Sequence, residues 1–169
     1  EVMIKQGLEK QVALVTGASR GIGCAIATEL AKRGATVIGT ATSESGAAAI
    51  TDYLKAVRAD AGHGAVLNVN DAEASNQLIE TITKEQGGLS VLVNNAGITQ
   101  DQLAMRMKDE EWDAVIATNL TAVARLSRAV LRGMMKAKYG RIISVTSVVG
   151  SAGNPGQMNY AAAKAGVAG

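Results

Sequence analysis

Apolar positions along this chain switch repeatedly between two patterns. "QVALVTG" (11–17) is a continuous apolar, β-branched run closed by glycine, as in a strand buried on both faces. "GCAIATELAKRG" (23–34) places Ala25, Ile26, Leu30 and Ala31 at helical spacing and stops at Gly34. The two patterns then repeat. Strands are expected at 35–41, 64–70, 89–97 and 140–147, and helices at 43–60, 71–86 and 109–138. A Gly/Ser/Pro-rich loop, "VVGSAGNPGQ", leads into a last helix near Met158. Ser43 and Asp71 stand where N-caps belong.

Strand and helix alternate without hairpin signals, which predicts a parallel sheet covered on both faces. Right-handed crossovers make this a doubly wound α/β, Rossmann-like sheet with strand order 3-2-1-4-5. A chain of 169 residues is one domain on length alone.

Composition narrows the function. The apolar residues are mostly Ala, Val, Ile and Leu, with one Trp and no Phe, so base stacking on aromatic platforms is not expected. The net charge of +2 comes from interspersed residues, which argues against a nucleic-acid arm. No membrane span is expected, and the polar start "EVMIKQGLEK" lacks a signal-peptide core. A lone cysteine, Cys24, fits a cytoplasmic protein, and His63 alone makes no metal site.

"TGASRGIG" (16–23) joins the first strand to the first helix. Its glycines, Gly17, Gly21 and Gly23, with Ser19, Arg20 and Ile22 between them, have the context of a pyrophosphate cradle: after a buried strand, at a helix start. The second strand ends in Gly39, Thr40, Ala41 and Thr42, without the acidic residue that holds an NAD ribose. Arg20 can grip a phosphate, so NADP(H) is favoured. Tyr160 and Lys164 lie four residues apart on one helix face, and a neighbouring ammonium favours a phenolate. Such a pair makes a proton donor or acceptor. Ser147 is placed at the carboxyl end of the fifth strand, and "NNAG" (94–97) at that of the fourth. Asn119 interrupts the apolar run of the long helix, which points to function, to a bend, or to a solvent-facing residue.

In this order and spacing, TGASRGIG, NNAG, Asn119–Leu120, Ser147 and Tyr160-x-x-x-Lys164 resemble the short-chain dehydrogenase/reductase family. The stretches "NNAGITQDQLAMRMKDEEWDAVIATNL" and "GRIISVTSVVGSAGNPGQMNYAAAKAG" resemble its bacterial members that reduce beta-ketoacyl groups on acyl carrier protein. The resemblance implies that Tyr160 protonates the carbonyl oxygen, Ser147 holds it, Lys164 tunes the tyrosine and binds the nicotinamide ribose, and Asn119 holds a relay water. It implies that Asn95, Ala96 and Gly97 line the cofactor, with Asn68 and Val69 on the adenine side. It also implies a homotetramer formed through the long helix and the Tyr-bearing helix, and a basic patch for the carrier at Arg128, Arg132, Lys136, Lys138 and Arg141.

Family chains run on past the equivalent of Gly169, so a C-terminally incomplete reductase domain with an uncovered fifth strand is expected. Two alternatives stay open: a reductase of another carbonyl substrate, and an inactive nucleotide-binding or assembly fragment. Cys24 occupies a place where a basic residue is expected; a small residue packed on the sheet is the simpler explanation.

Overall fold

The computed structural model describes residues 7–169, so most of the polar start lies outside the described residues. Five parallel strands form one sheet in the order β3-β2-β1-β4-β5, as expected. They are β1 (Val12–Val15), β2 (Thr36–Ala41), β3 (Gly62–Val66), β4 (Val91–Asn94) and β5 (Arg141–Ser144). Val12 to Val15 pair with Thr36 to Gly39 on one side, and Ala13 to Val15 with Val91 to Val93 on the other. A mean-free apolar run is what such doubly paired strands need, because alternate side chains enter opposite layers. Leu14, Ile38 and Leu92 point into one layer; Ala13, Val15, Val37 and Val93 point into the other.

Helices α1 (Gly21–Lys32) and α2 (Glu44–Val57) cover the second layer through Ala27, Ala31, Ile50 and Leu54. Helix α3 (Ala72–Gln86), followed after a loop by α4 (Asp109–Ile116) and α5 (Ala122–Ala137), lies on the other side. There α3 contributes Ile79 and Ile82, and α5 contributes Leu126, Val130 and Met134. The predicted caps are present: the Ser43 hydroxyl accepts from the Gly46 N–H at 3.1 Å, and Asp71 Oδ1 accepts from the Ala74 N–H at 2.9 Å. A short α6 (Val149–Ala152) interrupts the predicted loop, and α7 (Met158–Ala168) follows.

Four features differ from the sequence reading. The buried face of α1 is Gly23, Ala27 and Ala31, whereas Ala25 is exposed. Ile26 and Leu30 pack partly against the same layer, as expected, while glycine and alanine make the closest approach to the sheet. Residues 109–137 are not one regular α-helix, because Ala117–Thr121 form a π turn between α4 and α5. By length and composition alone this helix could cross a membrane, contrary to the reading of no candidate span. Here it packs Leu126, Val130 and Met134 against the sheet. Finally, β5 ends at Ser144, before Ser147, and its Ile142 and Ile143 are 37% and 48% exposed.

Candidate active site

The site forms where β1, β4 and β5 end, the edge at which open α/β sheets bind ligands. Its first wall is the loop after β1. The Thr16 hydroxyl accepts from the N–H groups of Asn95 and Ala96, each at 3.0 Å, and donates to the Val93 carbonyl at 3.4 Å. The Asn95 amide donates to the carbonyls of Thr16 and Gly17, at 3.2 and 2.9 Å. Gly17 adopts φ of +63°, and a side chain there would lie 2.9 Å from the Ala96 Cα. At Gly23 a Cβ would collide with the Gly17 carbonyl and the Asn95 amide. These contacts, more than any turn preference, demand glycine.

The loop is also anchored from behind. Gly17 donates its N–H to the Thr40 hydroxyl at 3.3 Å, and Ala18 donates to the Thr40 carbonyl at 2.8 Å. Thr40, 1% exposed, thus holds the loop from inside, and the exposed hydroxyl at this strand end belongs to Thr42. Thr40 is expected among the cofactor-binding residues, and its side chain reaches the glycine loop and not solvent. Tyr53 donates its phenol to the Ala18 carbonyl at 2.8 Å. Burial, and then neighbouring Cys24, push the Tyr53 phenol's pKa upward, so it stays a donor. Cys24 is half-buried, as its size allows.

What remains free is the start of α1. Arg20, its N-cap, makes no side-chain capping bond, and the first turn carries no acidic residue. The early N–H groups of the helix therefore keep their capacity for an anion. Ser19, Arg20, Gly21 and Ile22 are exposed around it, and a Cβ at Gly21 would meet nothing within 4 Å. The cradle fits a pyrophosphate. On the β3 side, Asn68 is exposed at the same edge, whereas Val69 is buried in the core, so its side chain serves packing.

The second wall is the helix pair that carries the polar set. Asn119 sits in the π turn and is fully buried. Its amide accepts from the Ile98 N–H and donates to the Ile98 carbonyl, both at 2.8 Å. It is not solvent-facing; it ties the long helix to the loop after β4. π turns inside α-helices are frequent at functional sites. Gly97 packs on the same amide, with 3.3 Å from an ideal Cβ to Asn119 Oδ1.

Lys164 is 7% exposed and donates from Nζ to the Val145 carbonyl at 2.8 Å. Burial lowers its pKa below the usual lysine value. Its ammonium lies 5.6 Å from the centre of the half-buried Tyr160 ring. The turn after β5 packs on the same helix: a Cβ at Gly150 would lie 3.1 Å from the Lys164 Cβ. The Ser147 hydroxyl accepts from the Val149 N–H at 3.2 Å, which fixes its turn. Ser147 lies two residues after the carbonyl that Lys164 holds, so the structure brings the Ser147 turn, Tyr160 and Lys164 together.

Sequence reasoning missed Asn159. It is fully buried, and its amide donates to the carbonyls of Gln100 and Glu111, at 3.0 and 3.1 Å. Its Oδ1 accepts from the Tyr160 N–H at 2.8 Å. It thereby pins the start of α7 to the loop after β4 and to α4. The available signal was an amide residue at a helix start, which resembles any cap.

Residues 11–169 match the short chain dehydrogenase family. The chain belongs to that family. Among curated relatives, the 3-oxoacyl-acyl-carrier-protein reductase FabG of Vibrio harveyi is 63% identical over 162 residues, covering 96% of this chain and 65% of the relative. The Escherichia coli K12 protein of the same name is 62% identical over 161 residues, covering 95% and 64%. A solved structure, of a putative short-chain alcohol dehydrogenase from Sinorhizobium meliloti 1021, superposes with a TM-score of 0.90 at 33% identity. That match covers 96% of this chain and 64% of the other. The chain thus spans about 65% of the length of the curated relatives it matches. In this chain the glycine loop after β1 and the Ser147 turn after β5, which Lys164 contacts, lie at one edge of one sheet.

Proposed function

We propose that this short chain dehydrogenase domain belongs to an NADPH-dependent reductase of beta-ketoacyl thioesters carried on acyl carrier protein, yielding the 3-hydroxyacyl thioester. The observation that carries the reading is the packing of Lys164 on Tyr160 and on the turn after β5, at the same edge of the sheet as a glycine loop with free helix N–H groups. Identity of about 60% or more to reductases named for that reaction supports the substrate class.

A bound nicotinamide supplies the hydride. Gly21, Ile22 and Gly23 offer N–H groups to its pyrophosphate, and Ser19 and Arg20 line the entrance. The strand end at Thr42 has no carboxylate to repel a 2′-phosphate, and the Arg20 guanidinium is available to it. Asn95, Ala96 and Gly97 form the wall between this loop and the carbonyl site. Tyr160 gives its phenolic proton to the substrate carbonyl oxygen, and the Ser147 hydroxyl holds that oxygen. Lys164 keeps positive charge beside the phenol and donates to the nicotinamide ribose. Asn119 holds the helix and loop that frame a water feeding protons back to Tyr160.

The same reading places the protein in the bacterial cytoplasm, as a homo-oligomer formed through α5 and α7. The exposed Leu131 and Met135 on α5 support that surface. Carrier docking at Lys138 and Arg141, with Arg128, Arg132 and Lys136 on α5, completes the proposal.

The test is NADPH oxidation with acetoacetyl thioester by the full-length protein, in wild type and Tyr160→Phe. Turnover should fall at least a hundredfold in the variant while NADPH binding persists. Undiminished turnover by Tyr160→Phe, or reduction of other ketones but not of this thioester, would refute the assignment.

A further inference from the structure

A second concavity lies at the opposite edge of the sheet, where β1 and β4 begin. It is a half-open groove between the C-terminal halves of α3 and α5, with a volume of about 930 Å³. That volume is in the range of small-molecule sites, roughly 300–1,000 Å³. Its floor is apolar and continuous with the core: Val12, Ile79, Leu89 and Val130 are each less than 10% exposed. Its rim is cationic. Among the described residues, Lys10, Lys84, Arg132 and Lys136 line it against a single carboxylate, Glu80. Among the described residues, none of these four cations forms an ion pair.

Two backbone features keep the groove in this form. Gly133 lies inside α5, where glycine weakens a helix, and a Cβ there would meet nothing within 4 Å. Packing does not require glycine there, yet any larger side chain would enter the groove. Lys10 holds φ of +71°, a conformation that glycine or asparagine adopts more readily, and carries its charge at the lip. An uncharged ligand would leave the rim charges unused, and a simple inorganic anion would leave the floor unused.

We propose that this groove binds an amphipathic anion, with an aliphatic body on the Val12–Val130 floor and one carboxylate or phosphate among Arg132, Lys136, Lys84 and Lys10. The groove faces away from the Tyr160 edge, so its test needs no turnover, although two of its cations, Arg132 and Lys136, also belong to the proposed carrier patch. It also differs from docking of an acidic protein, which would use the exposed charges and leave the floor empty.

Decanoate, titrated calorimetrically below its micelle concentration, is the probe, with decanol as the uncharged control. Wild type should bind decanoate at least tenfold more tightly than decanol. Gly133→Leu fills the groove with a stronger helix former, so it should fold with an unchanged or higher Tm and bind NADPH as wild type does. Its decanoate affinity should fall at least tenfold. The double variant Arg132→Glu/Lys136→Glu should lose affinity for decanoate and keep that for decanol. Failure of wild type to bind decanoate, or equal affinity in Gly133→Leu, overturns the proposal. So does loss of acyl-carrier-protein binding on charge reversal with no decanoate binding in any variant, which assigns the cations to protein docking alone.

Discussion

Asn119 and Ile98 exchange two hydrogen bonds, both 2.8 Å, between a buried side chain in the π turn and the backbone of the loop after β4. Substituting Asn119→Leu removes both partners of a backbone N–H and C=O. Each orphaned group costs about 1–3 kcal/mol, so urea unfolding should show a loss of roughly 2–5 kcal/mol. A loss under 1 kcal/mol would mean that water replaces the amide without strain.

The glycine loop separates steric from conformational demands. Gly23→Ala drives a methyl into the Gly17 carbonyl and the Asn95 amide, whereas Gly21→Ala meets open space but must hold φ of +58°. Gly21→Ala should cost about 1–2 kcal/mol through the left-handed backbone alone. Gly23→Ala should cost more and also abolish NADPH binding, measured by fluorescence titration. Equal effects of the two would refute this division.

Asn159 accepts from the Tyr160 N–H and bonds two carbonyls outside α7, so it should position Tyr160. Asn159→Ala leaves the carbonyls of Gln100 and Glu111 without their donor and frees the first turn of α7. In the full-length protein, kcat should fall about tenfold or more with little change in KM for NADPH. A purely structural role would lower Tm and leave kcat per folded molecule intact.

Lys164 makes stability depend on pH in a definite direction. Its folded pKa lies below the usual lysine value because it is buried. The unfolded chain therefore holds this proton more tightly, and stability from this group rises with pH. The window runs from the depressed folded value up to the ordinary lysine value; below it the cost of burying the charge is constant. Unfolding free energies of wild type minus Lys164→Met should thus become more positive as pH rises through that window. A flat or falling difference would show that the Val145 carbonyl fully compensates burial.

Arg58 closes the C-terminal end of α1. Its guanidinium donates to the Ala31 carbonyl at 2.7 Å and the Ala35 carbonyl at 3.0 Å, and its Nε donates to Asp60. The bond to Ala31 satisfies a helix-end carbonyl and opposes the negative pole of the helix, and the bond to Ala35 ties down the turn that follows it. Arg58→Met should lower stability by about 1–3 kcal/mol in urea, and Arg58→Lys should restore only part of it.

The strand order, the two caps and the position of the glycine loop were legible because each rests on local chemistry: β-branched runs, a hydroxyl or carboxylate at a helix start, glycine after a strand. The inward turn of Thr40 was not legible, because a threonine at a strand end can face either side, and pairing with the Gly17 N–H settles which. The roles of Asn159 and Arg58 depend on partners 48 and 27 residues away, for Glu111 and Ala31, which no local pattern encodes. The π turn was visible only as an asparagine out of place.

Thr16 and the Asn95–Ala96 pair are separated by 79 and 80 positions, yet a single hydroxyl joins them. A nascent chain leaving the ribosome with its first three strands therefore has a cradle without its latch. Capture of the proposed dinucleotide should therefore come late in the birth of this domain, once the fourth strand has docked, and dinucleotide added during translation should protect long ribosome-bound intermediates from proteolysis but not short ones.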